Sequence, residues 1–256
     1  MIESAGLSDV GRKRQVNEDS YLIEESASLF VVADGMGGHA AGEVASQLAV
    51  DAVRDFVGLT NEPHEMTWPF GFNVQIPYEY NVLKTAVLLA NLKVTQSAEQ
   101  KAQYAGMGCT LCIVWIRAET AFYCHVGDSR LYLLREGDLR QLSEDDTLVH
   151  EQVKQGLITE DEAKTHRLRH VVTKAVGARG RLDVDVHELK LRPGDLLLLA
   201  SDGVTDKLAD LELCRLLAAS TDPKESCRSV ISAANEAGGE DNSTAVLVRY
   251  RSSEPQ

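Results

Sequence analysis

Positive charge is what this chain has least of. Its 256 residues hold 26 Lys and Arg against 39 Asp and Glu, a formal net charge of −13. That balance disfavours nucleic acid as a partner, because binding along a phosphate backbone rests on cationic contacts. Cysteine is scarce as well: the five residues Cys109, Cys112, Cys124, Cys214 and Cys227 are scattered and odd in number, which argues against a disulfide framework. Cys109 and Cys112 form a C-x-x-C, but in a β-rich segment that spacing sends the side chains to opposite faces, so a zinc or redox pair is not expected. No apolar run reaches the length of a membrane span, and the opening MIESAGLSDVGRKRQVNED lacks the apolar core of a signal peptide. A cytoplasmic protein without a membrane partner is the expectation. Gly/Ser- and Pro-rich linkers are absent too, so with 44% hydrophobic residues the chain is read as one domain over residues 1–250, followed by a disordered tail at 251–256.

Against these absences, acids placed at strand ends stand out. The stretch Leu29–Glu43, LFVVADGMGGHAAGE, passes from a β-rich apolar run into Asp34-Gly35 and then into a helical pattern. An Asp-Gly pair alone is an ordinary turn. Here it recurs: Asp128 follows CHVG, Asp202 follows LLLLAS, Asp241 precedes TAVLVRY, and Glu18 and Asp19 precede YLI. If five strand ends distant in sequence gather in space, their repulsion must be offset, and hard divalent cations with oxygen ligands do so most directly. Gly35 permits close backbone approach, through which its carbonyl could reach an ion. The glycines do not make a nucleotide loop, since neither a Lys-Ser/Thr ending nor the dinucleotide spacing is present. Arg12, Lys13 and Arg14 run into Asn17-Glu18-Asp19, and an arginine beside such a site suits a phosphate clamp.

The remaining pattern orders the elements. Ile2 to Ser8 reads as a first strand, Gly42 to Val57 as a helix with a one-sided apolar stripe, and Glu79 to about Gln103 as a second helix. Between them Asn61 to Pro77 is an irregular loop holding Pro63, Pro69, Pro77, Trp68, Phe70 and Phe72, its aromatics favouring a packed conformation. From Met107 the runs GCTLCIVWI, TAFYCHVG, RLYLLR and DLRQL follow at short turns, predicting antiparallel hairpins. Residues 144–170 form a polar helical insertion with the character of a mobile flap. The strands VDVHELK and GDLLLLASDG come next, then two helices near Leu208–Ala219 and Lys224–Gly238, then STAVLVRY. LLLLA lacks alternation, so both its faces should be covered. The order implies two packed sheets with helices outside each.

Six segments in sequence order, SDVGRKRQVNEDS, VVADGMGGHAAGE, GMGCT, HVGDSRLY, LLLLASDG and GGEDNSTAVLV, resemble the motifs of the bacterial metal-dependent type 2C (PPM) serine/threonine protein phosphatases, over about Gly6 to Arg249. The resemblance implies an α-β-β-α sandwich, two antiparallel sheets flanked by helix pairs, with Mn²⁺ or Mg²⁺ bound as a pair between the sheets. It implies that Asp34 bridges the two ions, that Asp202 and Asp241 complete one ion's protein ligands, and that the Gly35 carbonyl serves the other. Glu18 or Asp19 would act directly or through water. Asp128, with Asp202, would hold a third, weaker ion. Arg14 would bind phosphate, His39 would be a candidate general acid, and Asn242 would orient Asp241. The implied reaction is in-line attack of a metal-bridging hydroxide on a phosphoserine or phosphothreonine protein, opposing a serine/threonine kinase, by a monomer. Two segments depart from the family pattern, Glu144-Asp145-Asp146-Thr147 and His170-Val171-Val172-Thr173-Lys174. There a histidine beside the aspartate, and an asparagine and an arginine, would be expected. His64, His125, His150, His166, His170 and His187 are read as surface or packing residues. A catalytically weak phosphoprotein-binding module and a small-molecule phosphoesterase stay open as alternatives.

Overall fold

The computed structural model describes residues 1–37, 41–61, 67–178, 180 and 182–251. Two antiparallel sheets stack face to face. One has the order β1-β11-β10-β7-β8, from Ile2–Asp9 (β1), Ser243–Tyr250 (β11), Leu196–Ala200 (β10), Arg130–Arg135 (β7) and Asp138–Gln141 (β8). The other runs β2-β3-β5-β6-β9, from Asp19–Glu24 (β2), Leu29–Met36 (β3), Leu111–Arg117 (β5), Thr120–Val126 (β6) and Val186–Lys190 (β9), with the short Gly108–Cys109 (β4) paired to β3. Helices Ala41–Gly58 (α1) and Tyr78–Gln100 (α2) bury Ala45, Ala49, Val53, Val82, Ala86 and Val94 against the second sheet. Asp210–Ala218 (α6) and Pro223–Glu236 (α7) cover the first with Leu213, Leu217, Val230 and Ile231. Phe30, Val32, Cys112, Val114, Leu131, Leu197, Leu199 and Val246 fill the space between the sheets. The expected α-β-β-α sandwich is the observed fold.

Strand periodicity explains the layering. In β10, Leu196, Leu198 and Ala200 face the helices while Leu197 and Leu199 face the other sheet, as the unbroken apolar run required. Cys109 and Cys112 likewise fall into different layers, and every described cysteine is a free thiol. One expectation fails. β5 and β6 form a hairpin, as do β7 and β8, but β6 and β7 do not pair: the turn Gly127-Asp128-Ser129 carries the chain from one sheet to the other. Gly127 has φ +97°, and a Cβ there would lie 2.7 Å from Thr110, so the turn passes tight against the neighbouring sheet. A short turn between apolar runs was thus a crossover, which puts Asp128 between the sheets.

The insertion carries two short helices, Leu148–Lys154 (α3), capped by Thr147, and Glu160–Thr165 (α4), opened by a Thr159/Glu162 capping box. Its two roots are tied by the Thr147 to Val172 bridge and by the Thr173 N–H to Asp146 carbonyl bond, 2.7 Å. Residues 62–66 of the predicted loop lie outside the described residues. Of the rest, Trp68 packs against Phe56, Phe72 and Tyr78, with centroids 4.8–5.9 Å apart, and Asn81 accepts from the Asn73 amide at 2.8 Å. Arg251, assigned to the tail from sequence, is instead held, its N–H donating to the Met1 carbonyl and its guanidinium pairing with Glu3. Residues 252–256 lie outside the described residues. No helix among the described residues is long and apolar enough to cross a membrane.

Candidate metal centre

β2 and β3 pair in a register that sets Asp19 directly opposite Asp34. Two carboxylates across a ladder repel, so this pairing demands compensation. Part of it comes from hydroxyls: Ser201 Oγ (2.8 Å) and Thr244 Oγ1 (2.6 Å) both donate to Asp19 Oδ2. The first sheet therefore reaches across to hold an acid of the second. Asp34 is fixed through its backbone, its N–H donating to Thr110 Oγ1 at 2.9 Å and its carbonyl accepting from the Thr110 N–H at 2.8 Å. Asp202 enters from the end of β10, at the first residue of the short helix Asp202–Thr205 (α5).

The glycines after these acids have a common cause. A Cβ on Gly35 would lie 2.2 Å from the Gly42 carbonyl oxygen and 2.5 Å from that of Glu18. On Gly203 it would lie 1.9 Å from the carbonyl oxygen of Asn242. Each Asp-Gly pair thus marks a place where another backbone segment closes on the site. At Gly35 the close approach is to other backbone, its amide donating to the Glu18 carbonyl at 3.1 Å. The Glu18 carboxylate rests on the start of α1, where the Gly42 N–H donates to it and a Cβ on Gly42 would collide with it at 2.5 Å.

Asn242 locks the segment that carries the basic patch. Its Nδ2 donates to the carbonyls of Val10 and Val16 at 3.0 Å, its Oδ1 accepts from the Glu18 N–H at 2.8 Å, and its own N–H donates to Asp241 Oδ1 at 2.8 Å. Arg14, from that segment, ion-pairs with Asp241 Oδ2 at 2.8 Å. The hydrogen bond to Asp241 is the main cause of the raised Arg14 pKa, with Glu18 and Asp34 adding to it. His39 lies outside the described residues.

Electrostatics identify this cluster as frustrated. Burial lifts the Asp34 carboxyl well above the usual carboxylate range, and the charges of Asp19 and Asp202 lift it further. Asp202 is pushed up to about 8 by burial and then by Asp128 and Asp206. Asp19 and Asp128 are pushed up to about 6, burial leading in both. Glu18 is raised by burial, opposed by its bond from Gly42. Asp19 Oδ1 and Asp202 Oδ1 are buried without a hydrogen-bond partner among the described residues. Acid-only donors, orphaned oxygens and mutual repulsion in one place fit hard divalent cations, which take oxygen ligands and cancel the charge. A groove of about 1060 Å³ along α2, lined by Phe72, Asn81, Lys84 and Asn91 among others, contains none of these acids.

Sequence reasoning missed several supports. Ser201, Thr244 and Thr110 carry no chemistry of their own, and only strand register reveals their contacts. His170, read as a surface or packing residue, is 3.2 Å from Asp206 Oδ2, and Asp206 lies one helical turn beyond Asp202. The spacing Asp202-x-x-x-Asp206 was the available signal. In the segment His170–Lys174, which departs from the family pattern, Lys174 pairs with Asp146 at 2.7 Å, and Asp146 accepts from the Gly127 N–H.

The protein phosphatase 2C family profile matches residues 10–239. The chain is 34% identical over 247 residues to the serine/threonine phosphatase stp of Listeria welshimeri, covering 94% of this chain and 92% of that one. To the protein phosphatase PhpP of Streptococcus pneumoniae it is 34% identical over 255 residues, covering 96% and 97%. Among solved structures, the serine/threonine phosphatase PstP/Ppp of Mycobacterium tuberculosis superposes with a TM-score of 0.85 at 34% identity, covering 98% of this chain and 99% of that one. The catalytic domain of PstP in complex with two manganese ions gives 0.83 at 33% identity, with 98% and 99% covered.

Proposed function

The chain belongs to the protein phosphatase 2C family, a metal-dependent protein serine/threonine phosphatase, and from that membership we propose how its own residues do the work. Asp34 would be shared by two divalent ions, Asp202 and Asp241 would complete the protein ligands of one, and the Gly35 carbonyl with Glu18 or Asp19 would serve the other. Asp128 with Asp202 would hold a third, weaker ion. Mn²⁺ or Mg²⁺ fits this donor set. The observation that carries the reading is the convergence of Asp19, Asp34 and Asp202 between the sheets, raised by burial and mutual charge, with two oxygens unpartnered.

When bound, the ions supply a water acidified for attack on phosphorus and neutralise the phosphoryl oxygens. The protein supplies position. Arg14, which ion-pairs with Asp241, offers a guanidinium fork to the phosphoryl group. Asn242 keeps Arg14, Glu18 and Asp241 in register. His39 as leaving-group acid belongs to the same proposal. Residues 1–250 act as one phosphatase domain with 144–170 as its flap, in the cytoplasm, as a monomer opposing a serine/threonine kinase.

The test is hydrolysis of p-nitrophenyl phosphate and a phosphothreonine peptide by metal-stripped protein titrated with Mn²⁺ or Mg²⁺, beside Asp202→Asn. Turnover returns with metal in the wild type and not in the variant. Wild-type turnover in a folded Asp202→Asn protein would refute the ligand assignment.

A further inference from the structure

Asp19 is held by more than the two hydroxyls that reach it. Ser8, opposite Thr244 in the β1–β11 register, has its Oγ 2.7 Å from Thr244 Oγ1. Asn17 Nδ2 donates to Ser8 Oγ at 2.7 Å, and Asn17 Oδ1 accepts from the Asp19 N–H at 3.2 Å. The path Asn17–Ser8–Thr244–Asp19 therefore closes on itself. Counting protons fixes its direction. A hydroxyl has one proton to give. Thr244 gives its own to Asp19 Oδ2, so Ser8 must donate to Thr244 and can only accept from Asn17. Ser201 obeys the same count, accepting from the Thr244 N–H at 3.0 Å and donating to Asp19 Oδ2. Both hydroxyl donors thus end on Oδ2, while Oδ1, also buried, has no partner among the described residues. A carboxylate buried for the sake of the fold alone would have both oxygens served.

We propose that Asn17, Ser8, Thr244 and Ser201 are positioning residues for the metal centre: they saturate Asp19 Oδ2, so that Oδ1 is the oxygen presented to a divalent cation. This rests on the metal-centre reading above and deepens it, adding the groups that aim one of its acids. Ser201 and Thr244 are fully buried, so their hydroxyls have no water to turn to. Ser8 and Thr244 lie on β1 and β11, and Ser201 follows β10, all strands of the first sheet; Asp19 lies on β2 of the second. The first sheet thus aims an acid that the second carries. Removing the Thr244 hydroxyl leaves Oδ2 one donor short, and a carboxylate that turns to recover a partner withdraws Oδ1 from the ion. The ring works through Asp19 alone, so its effect falls on metal affinity and not on the handling of the phosphoryl group.

The experiment measures Mn²⁺ binding by equilibrium dialysis to metal-stripped wild type, Thr244→Val, Thr244→Ser and Ser8→Ala, and p-nitrophenyl phosphate turnover of each across a Mn²⁺ titration. Thr244→Val keeps the shape and loses the hydroxyl, and its Mn²⁺ affinity should fall roughly 10–100-fold. Thr244→Ser, which keeps the hydroxyl, should restore it. Ser8→Ala should weaken binding in the same direction by less, because it only unpins the Thr244 hydroxyl; lying nearer the surface, it also carries the test if Thr244→Val does not fold. At saturating Mn²⁺, kcat and KM of each folded variant should return to the wild-type values, which a role in packing or in contact with substrate would not allow. Wild-type affinity in both Thr244→Val and Ser8→Ala, equal losses in Thr244→Val and Thr244→Ser, or a turnover defect that saturating Mn²⁺ does not repair would overturn the proposal and leave the metal centre standing. Failure of the wild type to bind Mn²⁺ would overturn the underlying reading instead.

Discussion

Asp19 opposite Asp34 is a pairing that electrostatics alone would reject, and it fits the proposal that these side chains serve a cation rather than the fold. A consequence is that function and metal-free stability pull in opposite directions at single residues. Asp34→Asn should lower kcat/KM on the order of 10³-fold or more, about 4 kcal/mol, by weakening metal binding. The same variant, stripped of metal, should melt above the wild type, because burial holds the Asp34 carboxyl well above the usual range and asparagine needs no proton to enter that site. Calorimetric Mn²⁺ titration and thermal unfolding of both metal-free proteins check the two halves; a metal-free variant that melts lower would show that Asp34 is held by contacts rather than strained. At this scale much was legible: Asp34, Asp128, Asp202 and Asp241 announce themselves as acids at strand ends. The hydroxyls of Ser201 and Thr244 did not, because a serine or threonine beside a strand is chemically unremarkable until register brings it to Asp19.

Between elements, the site is a matter of how closely backbones approach. Gly203→Ala would drive a Cβ to 1.9 Å from the Asn242 carbonyl, so α5 and the start of β11 must separate. It should cost about 1–3 kcal/mol and weaken Mn²⁺ binding with it, since Asn242 carries Asp241 and Glu18. At Gly58, which ends α1, an added Cβ would meet nothing within 4 Å, and Gly58→Ala should be neutral or stabilising by up to about 1 kcal/mol. Urea denaturation of the pair measures the contrast; equal effects would mean that packing around Gly203 relaxes freely. Helices and most strands were readable because their apolar periods are long and clean. The β6 to β7 connection was not, since a short turn between two apolar runs looks the same whether the next strand pairs or changes sheet. The pairing partner is a property of the other sheet, not of the local sequence.

For the molecule as a whole, the buried acids make metal-free stability depend on pH in an unusual direction. Asp202 moves from 3.8 to about 8 on folding, so between those values the folded chain holds a proton that the unfolded chain has released. Stability from that proton is complete below the unfolded value and is lost as pH rises through the folded one. The metal-free protein should therefore melt lower at pH 8 than at pH 5, and Asp202→Asn should flatten the slope. A hundredfold excess of Mn²⁺ over its dissociation constant should restore about 2.7 kcal/mol per site, or about 5–10 °C. A slope of the same size in Asp202→Asn would assign the effect elsewhere. The sheet order carries a last implication. β1 pairs with β11, so the strand that opens the chain is completed by the strand near its close, and Arg14 meets Asp241 only across that seam. Joining segments so far apart in sequence is entropically slow. Catalytic competence should therefore wait on the docking of β11 against β1, and on refolding, activity should lag the far-ultraviolet dichroism signal. Simultaneous recovery of the two would mean that the seam closes early.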